Sequence, residues 1–248
     1  MSTEGSARGC AFCGANGVKL YKEHCFPDWL RKRYGDQQMR HAFSKSGDDG
    51  EESNEWSDRP FQFQVRCTCH ACQHGWMARL EERAKPFLRS MIEGFGRTLY
   101  DEGREAVATW AIKTCMSFEG ANPNQSIPET HYRHMATHQS PPRNTQVWLG
   151  AVDDPTVTTS VAYHWHHGLG VEGHDAYLAA MSVGHLAIVV VGFGTEDPMT
   201  RKLDGWPREA LIDLWPREEP LRWPPGLIVD IPRLRVLGSV EFAVGDDA

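Results

Sequence analysis

From Gly75 onward the apolar positions Trp76, Met77, Leu80, Ala84, Phe87, Leu88, Met91 and Ile92 recur every three or four residues. That spacing predicts an amphipathic helix that stops near Gly94 and Gly96. Val107, Trp110, Ala111, Thr114 and Cys115 repeat the helical pattern across residues 104–118. Residues 27–34 open with proline at a first-turn position and close before Gly35, a short helix with Trp29, Leu30 and Tyr34 facing inward. Alternation takes over elsewhere. Residues 18–21 and 61–66 read as short strands, and residues 146–152, 157–165, 185–193, 227–231 and 236–244 as further strands. A short helical stretch is expected around residues 208–214. Residues 44–60 are polar and acidic and read as a solvated loop, while residues 120–145 are rich in Pro, Asn and Gln and read as irregular. There is no fixed-period repeat.

This succession predicts an α+β fold with a larger C-terminal α+β domain on a mainly antiparallel sheet. The 248 residues suffice for one large domain or two small ones, and the change of character near residue 100 divides the chain into 1–100 and 101–248. The longest apolar run, residues 186–191 with Gly192 and Phe193, is strand-sized and far below the ~20 residues a bilayer span requires. No membrane partner is expected. Residues 1–9 are polar and lack an apolar signal core, so a cytoplasmic protein is expected. The formal charge of −7 is unevenly distributed. Residues 1–100 carry 15 Lys/Arg against 13 Asp/Glu, whereas residues 101–248 carry 11 against 20. Contact with phosphates therefore belongs to the first part.

Four of the seven cysteines form two pairs, Cys10-Ala-Phe-Cys13 and Cys69-His-Ala-Cys72. Thiolates separated by two intervening residues aim at one point, so two such pairs make a tetrahedral site for structural Zn²⁺. Cys67, two residues before Cys69, could replace a ligand through the less usual Cys-x-Cys bite. Cys25 and Cys115 read as small apolar core residues, and a metal in a reducing compartment fits seven cysteines better than a disulfide framework.

The order Cys10-x-x-Cys13-Gly14, then Lys22-Glu23-His24-x-Phe26-Pro27-x-Trp29-Leu30, then Cys69-x-x-Cys72-x-x-Gly75-Trp76-Met77-x-x-Leu80-Glu81 resembles the zinc-stabilised HNH endonucleases. The resemblance covers about residues 8–95. It implies a four-cysteine zinc treble clef of ββα-metal type and metal-dependent hydrolysis of nucleic-acid phosphodiester bonds. By position it makes His24 the general base and Glu23 the carboxylate beside a catalytic Mg²⁺ or Mn²⁺. Imidazole titrates near neutral pH, as activation of water requires, and hard cations prefer carboxylate and water oxygens. The metal-binding position after the second knuckle is Gln73 here, with His74 next to it. The middle asparagine of the family has Gln64 as its nearest equivalent. Arg31, Lys32 and Arg33 would lie along the phosphate track, with DNA ahead of RNA as partner; a solvated helix face explains the three equally well.

Other readings stand beside these. Glu23-His24 could be a helix-entry pair, His70 a solvent-facing turn residue, and the zinc unit a catalytically degenerate module for protein or nucleic-acid interaction. His164 and His166, or His131, His134 and His138 if their segment were helical, could bind metal, but surface or core histidines account for them better. Trp206-Pro207, Trp215-Pro216 and Trp223-Pro224-Pro225 read as packing at strand ends. The C-terminal domain could select substrate, bind a regulator or drive homo-oligomerisation.

Overall fold

The protein is represented by a computed structural model that describes residues 9–34, 39–46, 52–58, 60–120, 127–152, 159–166, 176–194 and 210–228. After the first cysteine pair come β1 (Leu20–His24), α1 (Asp28–Tyr34), β2 (Met39–Ser46) and β3 (Glu52–Asp58). A 3₁₀ turn, Pro60–Gln62, leads into β4 (Gln64–Cys69), and a π-helical segment, Cys72–Met77, runs into α2 (Ala78–Ile92). Next are β5 (Arg97–Leu99), α3 (Asp101–Glu119), α4 (Glu129–His138), β6 (Thr145–Ala151), β7 (Thr159–His166), β8 (Ala176–Val183), β9 (Leu186–Phe193), β10 (Leu211–Trp215) and β11 (Leu221–Trp223).

The mixed helix-and-sheet class agrees with the sequence. The strands form a β1–β4 ribbon, a β5–β11 ribbon, and a seven-stranded sheet in the order β10-β6-β9-β8-β7-β2-β3. All pairs in the large sheet are antiparallel except β2–β7. The solvated loop expected at 44–60 is corrected here: β2 and β3 make an antiparallel hairpin whose register runs from Met39↔Asp58 to Lys45↔Glu52. Polar side chains do not forbid a strand when the backbone groups find partners, and β2 is flanked by β3 and β7.

Helix α3 holds the molecule together. Every residue from Ala106 to Glu119 is buried, so the helix lacks a polar face and packs on all sides. One continuous hydrophobic cluster joins the first cysteine pair, α2, α3 and one face of the large sheet, from Cys10 to Trp223. Residues on either side of position 100 thus share that core. The opposite sheet face carries a smaller cluster with Leu178, Val189, Val191 and Leu211.

Two segments differ from expectation. Residues 129–138 are helical, started by Pro128 and Glu129, because His131, Tyr132 and Met135 bury one side of the turn. Residues 211–215 form a strand on β6 where helical spacing was read; pairing with the sheet overrides local pattern. Strand β8 carries no alternation because both its faces are covered. Trp223 is buried and Trp215 packs against the core, as the strand-end reading held for these two. Of the strand expected at 227–231, residues 229–231 lie outside the described residues, and Ile228 makes only an isolated bridge to Ala151; the strand expected at 236–244, His167, Trp206 and the side chains of Tyr34, His164 and His166 also lie outside them. Among the described residues no helix is long and apolar enough to cross a membrane.

Candidate functional site

The four paired cysteines converge. Their sulfurs all lie within 4.8 Å of one another, with Cys10 Sγ 3.8 Å from Cys72 Sγ and Cys13 Sγ 3.7 Å from Cys69 Sγ. A tetrahedral zinc with Zn–S bonds of about 2.3 Å separates its sulfurs by roughly 3.8 Å, so the cage has the size of that ion. The turn that builds it is local. Gly14 N–H donates to Cys10 O at 2.8 Å, and Gly14 then takes φ +69, a left-handed conformation suited to glycine. The Cys69 amide donates to Cys10 Sγ at 3.3 Å and Ala11 N–H to Cys67 O at 2.9 Å, which bind the two pairs into one unit. The hydrogen bond shared between Cys10 and Cys72 holds the Cys10 thiol well below its ordinary value, and the same bond pushes the Cys72 thiol up. Two close sulfurs share one proton unless a cation replaces it. Cys67 lies outside the cluster; burial raises its thiol to about 12, and burial raises Cys25 too. Both remain protonated core residues, and Cys115 is equally buried.

Strand β1 carries the Glu-His pair, which is therefore not a helix entry. Register partners Lys22↔Arg66 and His24↔Gln64 put these four residues on one side of the β1–β4 ribbon. Intervening Glu23 and Val65 are buried, at 4% and 6% exposure. Gln64 Nε2 makes a short contact to His24 Nε2, so the carboxamide fixes the imidazole ring, and His24 Nδ1 is buried with no hydrogen-bond partner among the described residues. His24, Asp28, Arg31, Gln62 and Gln64 line an open cleft of about 310 Å³. Asp28 accepts from Arg31 Nε at 2.8 Å and pairs with Lys32 Nζ at 2.9 Å, and these cations hold its carboxyl below the usual range.

The sequence-derived site residues are dispersed. Glu23 is turned away from the cleft: its carboxylate lies 2.9 Å from Lys113 Nζ, which also meets Glu81 at 2.9 Å. Alternation along a strand sends neighbours to opposite faces, so Glu23 and His24 cannot share a site there. Gln73 donates to Lys22 O at 2.7 Å, fastening the helix start to β1. His74 is exposed and faces His70, ring centroids 4.4 Å apart. Neither lines the cleft. Arg31 does, Lys32 pairs with Asp28, and Arg33 reaches Glu93 at 3.1 Å. Asp28 and Gln62 were missed as cleft residues. Asp28 follows Pro27 by one position, at the start of the helix that faces His24 across the turn, and that adjacency was the available signal.

The C-terminal histidines also separate. His131 is buried and its Nδ1 lies 3.0 Å from Tyr177 Oη, whereas the rings of His134 and His138 are 4.5 Å apart at the surface. No family model, curated protein or solved structure matches the chain.

Proposed function

We propose that residues 9–92 form a zinc treble clef of HNH type and that the protein hydrolyses nucleic-acid phosphodiester bonds at the His24 cleft. The observation that carries this is the pairing of His24 with Gln64 across the β1–β4 ribbon, at a cleft that also contains Asp28 and Arg31. Gln64, at the nearest equivalent of the family's middle asparagine, holds the imidazole through its amide. The cysteine cluster fits Zn²⁺ by donor set and size, and its ligands bracket β1, β4 and the start of α2, so the ion stiffens the elements that carry the cleft.

His24 takes a proton from the attacking water at Nε2, which requires the Gln64 amide to move off that nitrogen because Nδ1 is buried, while the new P–O bond forms and the leaving oxygen departs and is reprotonated from solvent. Arg31 lies on the cleft wall as a donor to the phosphate oxygens. The carboxylate at the cleft is Asp28 rather than Glu23, with the Gln62 and Gln64 carboxamides as further oxygens, and a cation there would have to draw an Asp28 oxygen away from Arg31 or Lys32. That set suits a hard cation, which commonly binds one or two carboxylates, waters and substrate phosphate. Mg²⁺ or Mn²⁺, when bound, neutralises charge on the phosphate.

The test is cleavage of plasmid, single-stranded DNA and RNA with Mg²⁺ or Mn²⁺, comparing wild type with His24→Ala. Cleavage that falls at least a hundredfold in the variant, order-of-magnitude for loss of a general base, supports the nuclease. Absence of His24-dependent cleavage on every substrate with zinc bound leaves a non-catalytic zinc module, a reading the burial of Glu23 favours.

A further inference from the structure

The last turns of α4 bring two histidines together. His134 and His138 stand four residues apart, about one turn of helix, and their ring centroids are 4.5 Å apart with the planes tilted by 36°. With metal–nitrogen bonds of about 2.0–2.1 Å, two imidazoles on one ion have centroids roughly 4.5–5.2 Å apart, so the pair has the spacing of a chelate. The helix ends at Gln139, whose left-handed φ of 56 turns the chain back and sets Ser140 Oγ 3.4 Å from His134 Nε2. Two donors of one tetrahedral ion are separated by a similar length, roughly 3.4 Å for bonds near 2.1 Å. As a hydrogen bond that contact is long, and the nitrogen can give it up for an ion at little cost. His138 is exposed and His134 half-buried, so the pair is open to solvent. Burial first, and then His138, lower the pKa of His134 and keep its ring neutral, the form that ligates a metal. His131, one turn earlier, is buried and committed to Tyr177 Oη.

We propose that His134 and His138 form a second metal site, a two-imidazole clamp for a first-row transition ion such as Zn²⁺, Ni²⁺ or Cu²⁺, with Ser140 and water completing the coordination. The donor set selects the class. Imidazole nitrogen suits these ions, whereas Mg²⁺ and Ca²⁺ require oxygen donors, carboxylates above all. Among the described residues no further Cys, His, Asp or Glu completes a cluster with the pair, and Arg143 lies near enough to disfavour positive charge on His134. An ion there is held by nitrogen bonding and not by neutralisation of its charge. The clamp is therefore weaker than a four-thiolate cage, and its ion exchanges under conditions in which zinc in that cage would stay. Binding across the last turns of α4 favours their helical form over the frayed one. His70 and His74 lie at a similar 4.4 Å, with the Tyr21 ring against His70, and the experiment separates the two pairs. The clamp does not depend on the nuclease reading.

The experiment is isothermal titration of the untagged, full-length protein with Ni²⁺ at neutral pH, after zinc has been added to the cysteine cluster and excess metal dialysed away. His138→Ala removes an exposed ring without opening the core. It should weaken one Ni²⁺ equivalent at least tenfold, the lower end of the cost of disturbing a metal's surroundings. His74→Ala should leave that equivalent unchanged. Ni²⁺ should also raise the melting temperature of the wild type and of His74→Ala but not of His138→Ala, since only a folded clamp binds. Zinc released into solution is measured in parallel. Absence of any Ni²⁺ equivalent sensitive to His138→Ala would overturn the clamp. Loss of the same equivalent in His74→Ala would overturn it too, because the ion would then belong to the other pair. Zinc appearing mole for mole with the Ni²⁺ bound would place the ion at the cysteines and likewise overturn it. Cleavage plays no part in these readouts, so the clamp and the nuclease stand or fall separately.

Discussion

Lys113 Nζ lies 2.9 Å from a carboxylate oxygen of Glu23, with the lysine side chain fully buried and the glutamate side chain 6% exposed. Glu81 completes a triad that fastens α3 to β1 and α2. Burial alone would lower the lysine's pKa, but the two carboxylates outweigh it and hold the ammonium above its ordinary value. The residue before the proposed base is thus a structural anchor.

Removing the cation from that anchor should be costly. Lys113→Met leaves Glu23 as an uncompensated buried charge and should destabilise the protein by about 3–5 kcal/mol in urea unfolding. Adding Glu23→Gln and Glu81→Gln should restore much of the loss. Because the folded pKa of Lys113 is raised, its contribution is complete below the unfolded value of about 10.4 and fades only at more alkaline pH.

His131 gives the opposite pH signature. Burial first, and then the neighbouring His134, lower its pKa from 6.5 to about 4. The unfolded chain binds a proton in that window and the folded one does not, so stability falls as pH drops from 6.5 towards 4. The loss is about 3 kcal/mol in full. His131→Gln should abolish this part of the acid sensitivity. Urea midpoints of variant and wild type at pH 7 and pH 5 measure the difference.

Elemental analysis should find one zinc per chain. A strong chelator should remove it and lower the melting temperature sharply, since cysteine-ligated zinc contributes on the order of 10–16 kcal/mol of apparent binding energy in small zinc domains. Cys72→Ser should reproduce the effect, while Cys67→Ser should retain the full equivalent of metal.

If the cleft is a nuclease site, Asp28→Asn should raise the Mn²⁺ concentration for half-maximal activity about tenfold, the lower end of the cost of disturbing a metal's ligand environment. Glu23→Gln should reduce stability and leave that requirement unchanged. Titrating Mn²⁺ against rate for the two variants separates the carboxylates.

The cysteine cluster was legible because the spacing itself encodes convergence; Cys10, Cys13, Cys69 and Cys72 meet as read. The amphipathic run from Trp76 to Ile92 was equally plain. What the sequence concealed depended on partners distant along the chain. Glu23 reads as a cleft carboxylate until Lys113 comes to lie against it, and Asp28 reads as an ordinary helix start until the ribbon brings His24 and Gln64 beside it. Strand β8 shows little pattern because it is covered on both faces, and β10 has helical spacing that its pairing with β6 overrides. The hairpin of β2 and β3 is polar enough to pass for loop; its pairing with β7 more than a hundred residues later is invisible to any local rule.

That parallel pairing has a consequence for biosynthesis. Both cysteine pairs leave the ribosome well before residue 159, where β7 begins. At about 5–20 residues per second, several seconds separate the two events. In that interval β2 and β3 are a lone two-stranded hairpin, marginal in water, inside a loop whose ends a metal on the four cysteines could already join. Closure of the cysteine cluster by such a metal and completion of the sheet would then be separate events in time, and a nascent chain halted near residue 100 would carry an unpaired strand edge exposed to its neighbours.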